Sequence, residues 1–103
     1  MMRARPVIVR PDAEADLKEA FAWYEAQRAG LGADLLLAVE AVLEEIGRRG
    51  DSFPLVHNDV RRALVKRFPY GVFFVVNDAV VSVIAIFHAR RDPKIWRDRA
   101  TRK

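Results

Sequence analysis

The period of the hydrophobic pattern changes once along this chain, and that change most constrains what it can fold into. Up to about residue 50, apolar residues recur every three or four positions; from Val60 onward they recur at every second position. The first spacing puts apolar side chains on one face of a helix, and the second puts them on one face of a strand. Helices followed by strands, without alternation, predict an α+β domain. A chain of 103 residues can bury its own core. With no internal repeat or linker, residues 1–103 are expected to form a single domain.

The segment "RARPVIVR" reads as a short first strand at a sheet edge, because Pro6 has no N–H to donate to a ladder. Pro11 suits the first turn of a helix whose stripe is Ala13, Leu17, Ala20, Phe21 and Tyr24. Asp12, Glu14, Asp16 and Glu19 lie near its start and read as complements to the helix dipole. The glycines of "RAGLGA" end this helix. A second is expected from about Ala33, burying Leu35, Leu36, Val39, Val42, Leu43 and Ile46. So short a connection implies an antiparallel helical hairpin.

"DSFPLVHND" reads as a loop. "VRRALVKRF", "GVFFVV" and "VVSVIAIF" then read as strands, joined by "PY" with Gly71 and by Asn77-Asp78. Such short connections predict a meander, hence a three- to four-stranded antiparallel sheet. Val72, Phe74 and Val76 point to one side of their strand and Phe73 and Val75 to the other, so both faces need covering. The hairpin covers one face. For the other, a C-terminal helix or tail carrying Ile95 and Trp96 can fold back, or another protein can supply the lid.

The chain has no cysteine, which excludes disulfides, thiolate nucleophiles and cysteine-based metal sites. Two histidines make no zinc site, and "GLG" joins two helices, so it is no phosphate loop. "MMRARPVIVR" is too short in apolar residues for a signal peptide or a membrane span, so a cytoplasmic location and no membrane partner are expected. The net charge of +4 is unevenly divided: residues 1–60 hold seven Lys/Arg against eleven Asp/Glu, and residues 61–103 hold eleven against three. A basic C-terminal half suits a surface that meets a polyanion or an acidic protein.

Taken in order, "ADLKEAFAWYEAQRAGLGADLLLAVE", "RRALVKRFPYGVFFVV" and "VSVIAIFHARRDPKIW" resemble toxins of the RelE/ParE superfamily from bacterial type II toxin–antitoxin modules. The likeness spans nearly the whole chain. It implies a helical hairpin on an antiparallel sheet, no cofactor, no metal, and a cognate antitoxin held in a hetero-oligomer. ParE-type members act on DNA gyrase without a nuclease site; RelE-type members cut mRNA on the ribosome. RelE-type nucleases resemble one another in a Tyr, or a His-Tyr pair, near the C-terminus. After His88 this chain reads Ala-Arg-Arg-Asp-Pro instead, which favours a ParE-like toxin that binds gyrase rather than an enzyme.

On that reading Arg61, Arg62, Arg67, Arg90 and Arg91 contact the target, and Trp23, Tyr24 and Trp96 are candidates for antitoxin binding. The alternative is a metal-free mRNA endonuclease acting on the ribosome, with His88 as base and Arg62 and Arg90 around the scissile phosphate. A third reading is a decayed toxin that only binds its antitoxin.

Overall fold

The computed structural model describes residues 4–101. A strand β1 (Val7–Val9) leads into helices α1 (Pro11–Gln27) and α2 (Leu31–Arg49). Strands β2 (Leu55–His57), β3 (Val60–Leu64), β4 (Tyr70–Val76) and β5 (Val81–His88) follow, and helix α3 (Lys94–Thr101) closes the described chain. One five-stranded sheet results, in the order β1-β5-β4-β3-β2.

The α+β class, the helical hairpin and the meander agree with the sequence reading. The sheet itself is larger than expected and mixed. Val7–Val9 lies parallel to β5, with Ile8 opposite Ser82. "DSFPLVHND" is only partly a loop, since Leu55–His57 pairs antiparallel with β3 through an irregular register. Three residues beside Pro54 are too few to show a period, which hides this strand from sequence reading.

β3 also stops earlier than its pattern suggests. Arg67 adopts φ 68°, so the turn runs through Lys66 and Arg67, while Tyr70 and Gly71 already belong to β4. The second turn is as expected: the Asn77 side-chain oxygen accepts from the N–H groups of Ala79 and Val80.

α2 begins at Leu31, two residues before its expected start. Gly30 sits at φ 91° as its N-cap, and the Glu25 carboxylate accepts from the N–H groups of Gly30 and Gly32, each at 2.9 Å. A side chain at Gly32 would meet the Phe21 ring at 2.8 Å, so glycine lets the two helices close at this end.

The sheet divides the core in two. On the hairpin side Leu35, Val39 and Ile46 pack over Val72, Phe74, Val81 and Ile86. On the other side Val60, Phe73, Ile84, Ala85 and Phe87 are covered by Trp96 of α3, whose ring stacks on Phe73 at 4.4 Å. The second face is therefore lidded by the chain's own C-terminal helix. Trp96 carries that cover, while Ile95 is about 39% exposed.

"RDPK" starts the helix locally. Asp92 Oδ1 accepts from the Lys94 N–H at 2.9 Å, and Pro93 stands immediately before α3, where no N–H is needed.

Candidate functional site: a cationic end of the sheet

The site is organised by an irregularity in β5. Phe73 pairs with Ala85 but Phe74 pairs with Val83, so Ile84 is an extra residue, a β-bulge. Both Ile84 and Ala85 therefore turn toward α3, and alternation resumes with Ile86 on the hairpin side. β1 has by then ended opposite Val83, which leaves the outer edge of β5 without a neighbouring strand from Ile84 onward.

Two side chains occupy that edge. Asp16 Oδ2 accepts from the Ile86 N–H at 3.1 Å, and Arg99 Nη1 donates to the Ile84 carbonyl at 3.2 Å. The same two residues pair with each other: Arg99 Nη1 lies 2.6 Å from Asp16 Oδ2, and Nη2 lies 3.1 Å from Oδ1. This two-bonded pair ties α3 to α1 across the sheet edge, with Asp16 buried and Arg99 half-buried. The Asp16 hydrogen bond and charge, with Asp12 nearby, hold the Arg99 guanidinium above its usual range against the opposing effect of burial.

Asp16 thus corrects the sequence reading of the helix-start acids. Glu14 and Glu19 are exposed, as dipole complements would be, but Asp16 is an edge cap and the partner of Arg99. A signal existed: Asp16 lies three residues after Ala13 and four before Ala20, on the buried stripe itself. Nothing in sequence spacing links it to Arg99, 83 residues away.

Beyond this tie, two clefts open on opposite faces of the sheet end. The first, about 610 Å³, lies beside α3, with Phe73, Phe87 and Trp96 as its apolar floor and Arg62, Arg91, Arg97, His88 and Tyr70 as its charged or titratable groups. No carboxylate is among the described residues that line it. Gly71 makes room there for Arg62: a Cβ at position 71 would lie 3.2 Å from Arg62 Cγ and Cδ.

The second cleft, about 460 Å³, lies against α1, walled by Trp23, Tyr24 and Tyr70, with Asp16 and Glu19 opposite Arg90 and Arg91. Tyr24 meets Trp23 and Tyr70 edge-on, at 4.9 and 6.1 Å, and Tyr70 meets His88 at 5.3 Å. Burial above all, then Tyr24 and Glu19, pushes the Tyr70 hydroxyl up from its usual range, while Arg91 opposes them. Tyr70, His88 and Arg91 line both clefts.

The expected site residues fall unevenly on this framework. Arg62, Arg90 and Arg91 gather at the sheet end, with Arg91 lying 4.2 Å over the Phe87 ring and 3.9 Å from Asp16. Arg61 points to the opposite face from Arg62 and donates to the Phe53 carbonyl at 2.6 Å, which ties β3 to the preceding loop. Arg67 stands exposed in its turn and lines neither cleft. Trp23 is more than half exposed and Tyr24 half-buried beside it, whereas Trp96 is core and lines only the α3 cleft. Arg97, which the sequence reading did not single out, belongs with Arg62.

The hypothetical nuclease set is split by the sheet. His88 lies between Arg62 on the α3 side and Arg90 on the α1 side. The Arg90 N–H donates to His88 Nδ1 at 3.0 Å, so the neutral ring carries its proton on Nε2 and has its lone pair already engaged. Among the described residues no three His, Asp or Glu side chains cluster as a metal site requires.

A helical hairpin and a short C-terminal helix thus cover opposite faces of one sheet, with cations gathered at its end. The family model for the ParE toxin of the parDE type II toxin–antitoxin system matches residues 7–93, and the chain belongs to that family. Among solved structures, a chain of the chromosomal ParDE toxin–antitoxin system from P. aeruginosa superposes with a TM-score of 0.74 at 15% identity. That match covers 82% of this chain and 96% of the other, and at such identity the likeness is one of fold. None of the curated proteins matches the chain. No helix among the described residues is long and apolar enough to cross a membrane.

Proposed function

We propose that this ParE-family toxin arrests growth in the cytoplasm by binding and poisoning DNA gyrase, and that a cognate antitoxin neutralises it. The observation that carries this reading is the α3 cleft, which presents three arginines and a histidine and no carboxylate over an apolar floor. Such a surface is built for recognition of negative charge. A binding role also suits His88, whose Nδ1 is engaged by its own backbone neighbour and so lacks a free lone pair for general-base work.

Arg62 and Arg90 are the cations to reverse first, because Arg91 lies beside Asp16 and a carboxylate there would strain the fold. Purified toxin is expected to inhibit gyrase supercoiling and trap gyrase–DNA complexes. The Arg62→Glu/Arg90→Glu double variant should lose that inhibition with its circular dichroism unchanged. Codon-positioned mRNA cuts in a reconstituted translation mixture, with gyrase untouched, would overturn the assignment.

A further inference from the structure

Every polar side chain that lines the α3 cleft carries a hydrogen-bond donor. Arg62, Tyr70, His88, Arg91, Trp96 and Arg97 all do, and no carboxylate or side-chain amide stands among the described residues there. His88 donates because the Arg90 N–H engages Nδ1 and leaves the ring proton on Nε2. Burial pushes the Tyr70 hydroxyl up from its usual range, so it keeps its proton at neutral pH.

The three guanidiniums are positioned chiefly by aromatic rings and backbone rather than by acids. Arg91 lies 4.2 Å over the Phe87 ring and Arg97 lies 5.5 Å over Trp96. The Arg62 stem runs against Gly71, where a Cβ would come within 3.2 Å of its Cγ and Cδ. Arg91 has Asp16 at 3.9 Å, outside this cleft, and Arg62 and Arg97 have no ion pair among the described residues. The three come from separate parts of the chain: β3, the connection after β5, and α3.

We infer that the α3 cleft is a binding site for a nucleoside polyphosphate, with its phosphates on Arg62, Arg91 and Arg97 and its nucleoside on the apolar floor and rim. A single carboxylate has two oxygens, too few to answer three guanidiniums. Linked phosphates offer oxygens to each, in the geometry that the guanidinium fork matches. The cleft's volume of about 610 Å³ suits a small ligand of this kind. Its rim adds the 68% exposed Leu64, with Pro69 and Pro93, beside the aromatic floor. That apolar surface gives a nucleoside a contact that bare polyphosphate lacks.

The inference goes beyond the gyrase reading and does not depend on it, since ligand binding is read directly. Arg62 is shared with the proposed target surface, so a bound nucleotide would also tune access to that target.

The test is isothermal titration calorimetry on the whole toxin in magnesium-free buffer. The probes are ATP, inorganic tripolyphosphate, adenosine and a single-stranded oligonucleotide. Three proteins are compared: wild type, Arg62→Gln/Arg97→Gln, and Lys18→Gln/Arg28→Gln. The last removes the same charge from exposed residues outside both clefts. Circular dichroism checks that each is folded.

ATP should bind wild type and the Lys18/Arg28 variant alike, and the Arg62/Arg97 variant about tenfold more weakly. Tripolyphosphate should bind about tenfold more weakly than ATP, and adenosine more weakly still. No ATP binding, or equal weakening by the two double variants, would overturn the inference. Tripolyphosphate binding as tightly as ATP would overturn the nucleoside assignment, and an oligonucleotide that outcompetes ATP would replace it with a nucleic-acid strand. Gyrase inhibition without ATP binding would remove the ligand and keep the target; ATP binding without gyrase inhibition would do the reverse.

Discussion

The two faces of the sheet are closed by different physics. The hairpin face is a broad apolar contact in which two long helices lay stripes of Ala, Leu, Val and Ile over Val72, Phe74, Val83 and Ile86. The face under α3 is smaller and depends on an eight-residue helix with one fully committed apolar side chain, Trp96. An isolated helix of two turns is unstable in water. What holds it is local and specific: the Trp96–Phe73 stack, the Asp92 cap, and the Asp16–Arg99 pair on the bulged edge of β5. The arginine-lined cleft thus rests on the more weakly covered face, held by a few strong contacts rather than many small ones.

Substitutions on the two faces should separate these mechanisms. The largest effect is expected from Phe74→Ala in the hairpin core, where the side chain is fully buried. A cavity there should cost about 3–5 kcal/mol in denaturant unfolding. Amide protection should fall across both helices and the sheet together, since that face is continuous.

Asp16→Ala should follow at about 3 kcal/mol, because it leaves the Ile86 N–H without its acceptor and the half-buried Arg99 guanidinium with only the Ile84 carbonyl and the more distant Asp12. Hydrogen exchange should then rise first in α3, leaving the hairpin protected. Equal loss of protection in α2 would erase the distinction between the faces. The paired variant Asp16→Leu/Arg99→Met should recover much of the loss if the tie serves only to hold the helix down.

Glu25→Ala removes the acceptor for two N–H groups at the start of α2 and should cost about 1 kcal/mol, read as a shift in unfolding midpoint at constant slope. The smallest effect is a pH dependence. Burial above all raises Tyr70 in the fold above the ordinary tyrosine value of 10.0, so the unfolded chain ionises first. Its contribution is fully present below that value and is lost as pH rises through the folded pKa. Tyr70→Phe should flatten the alkaline edge of the stability curve, and an unaltered edge would assign it to other groups.

Much of this fold was legible from the pattern of apolar residues. The stripe from Ala13 to Tyr24, the stripe from Leu35 to Ile46, and the two-sided burial of Val72 to Val76 lie where period and turn chemistry put them. Asn77 turns the chain by the Asx geometry its residue type suggests. The short strand Leu55–His57 escaped because three residues carry no period. The bulge at Ile84 escaped because "VSVIAIF" is apolar on both faces, so an inserted residue leaves no break in alternation.

The site was legible in its materials but not in its grouping. Arg62, Arg90 and Arg91 stood out as cations, yet Arg61, beside them in sequence, points to the other face and holds a carbonyl. Arg97 was passed over because α3 alone decides that its side chain faces Arg62 across an apolar floor.

The sequence by itself determined the class of the fold, the hairpin, the meander and the basic character of the C-terminal half, all of which are properties of local period, turn chemistry and charge count. The tertiary structure decided what happens at the end of β5. β1 ended and left the outer edge of β5 open, Asp16 and Arg99 met there across 83 residues, and α3 came down on the open face so that two clefts meet around Tyr70, His88 and Arg91. Those contacts are long-range pairings between groups that are unremarkable in their own segments. Their energy comes from burial and partner geometry, which exist only once the chain has folded.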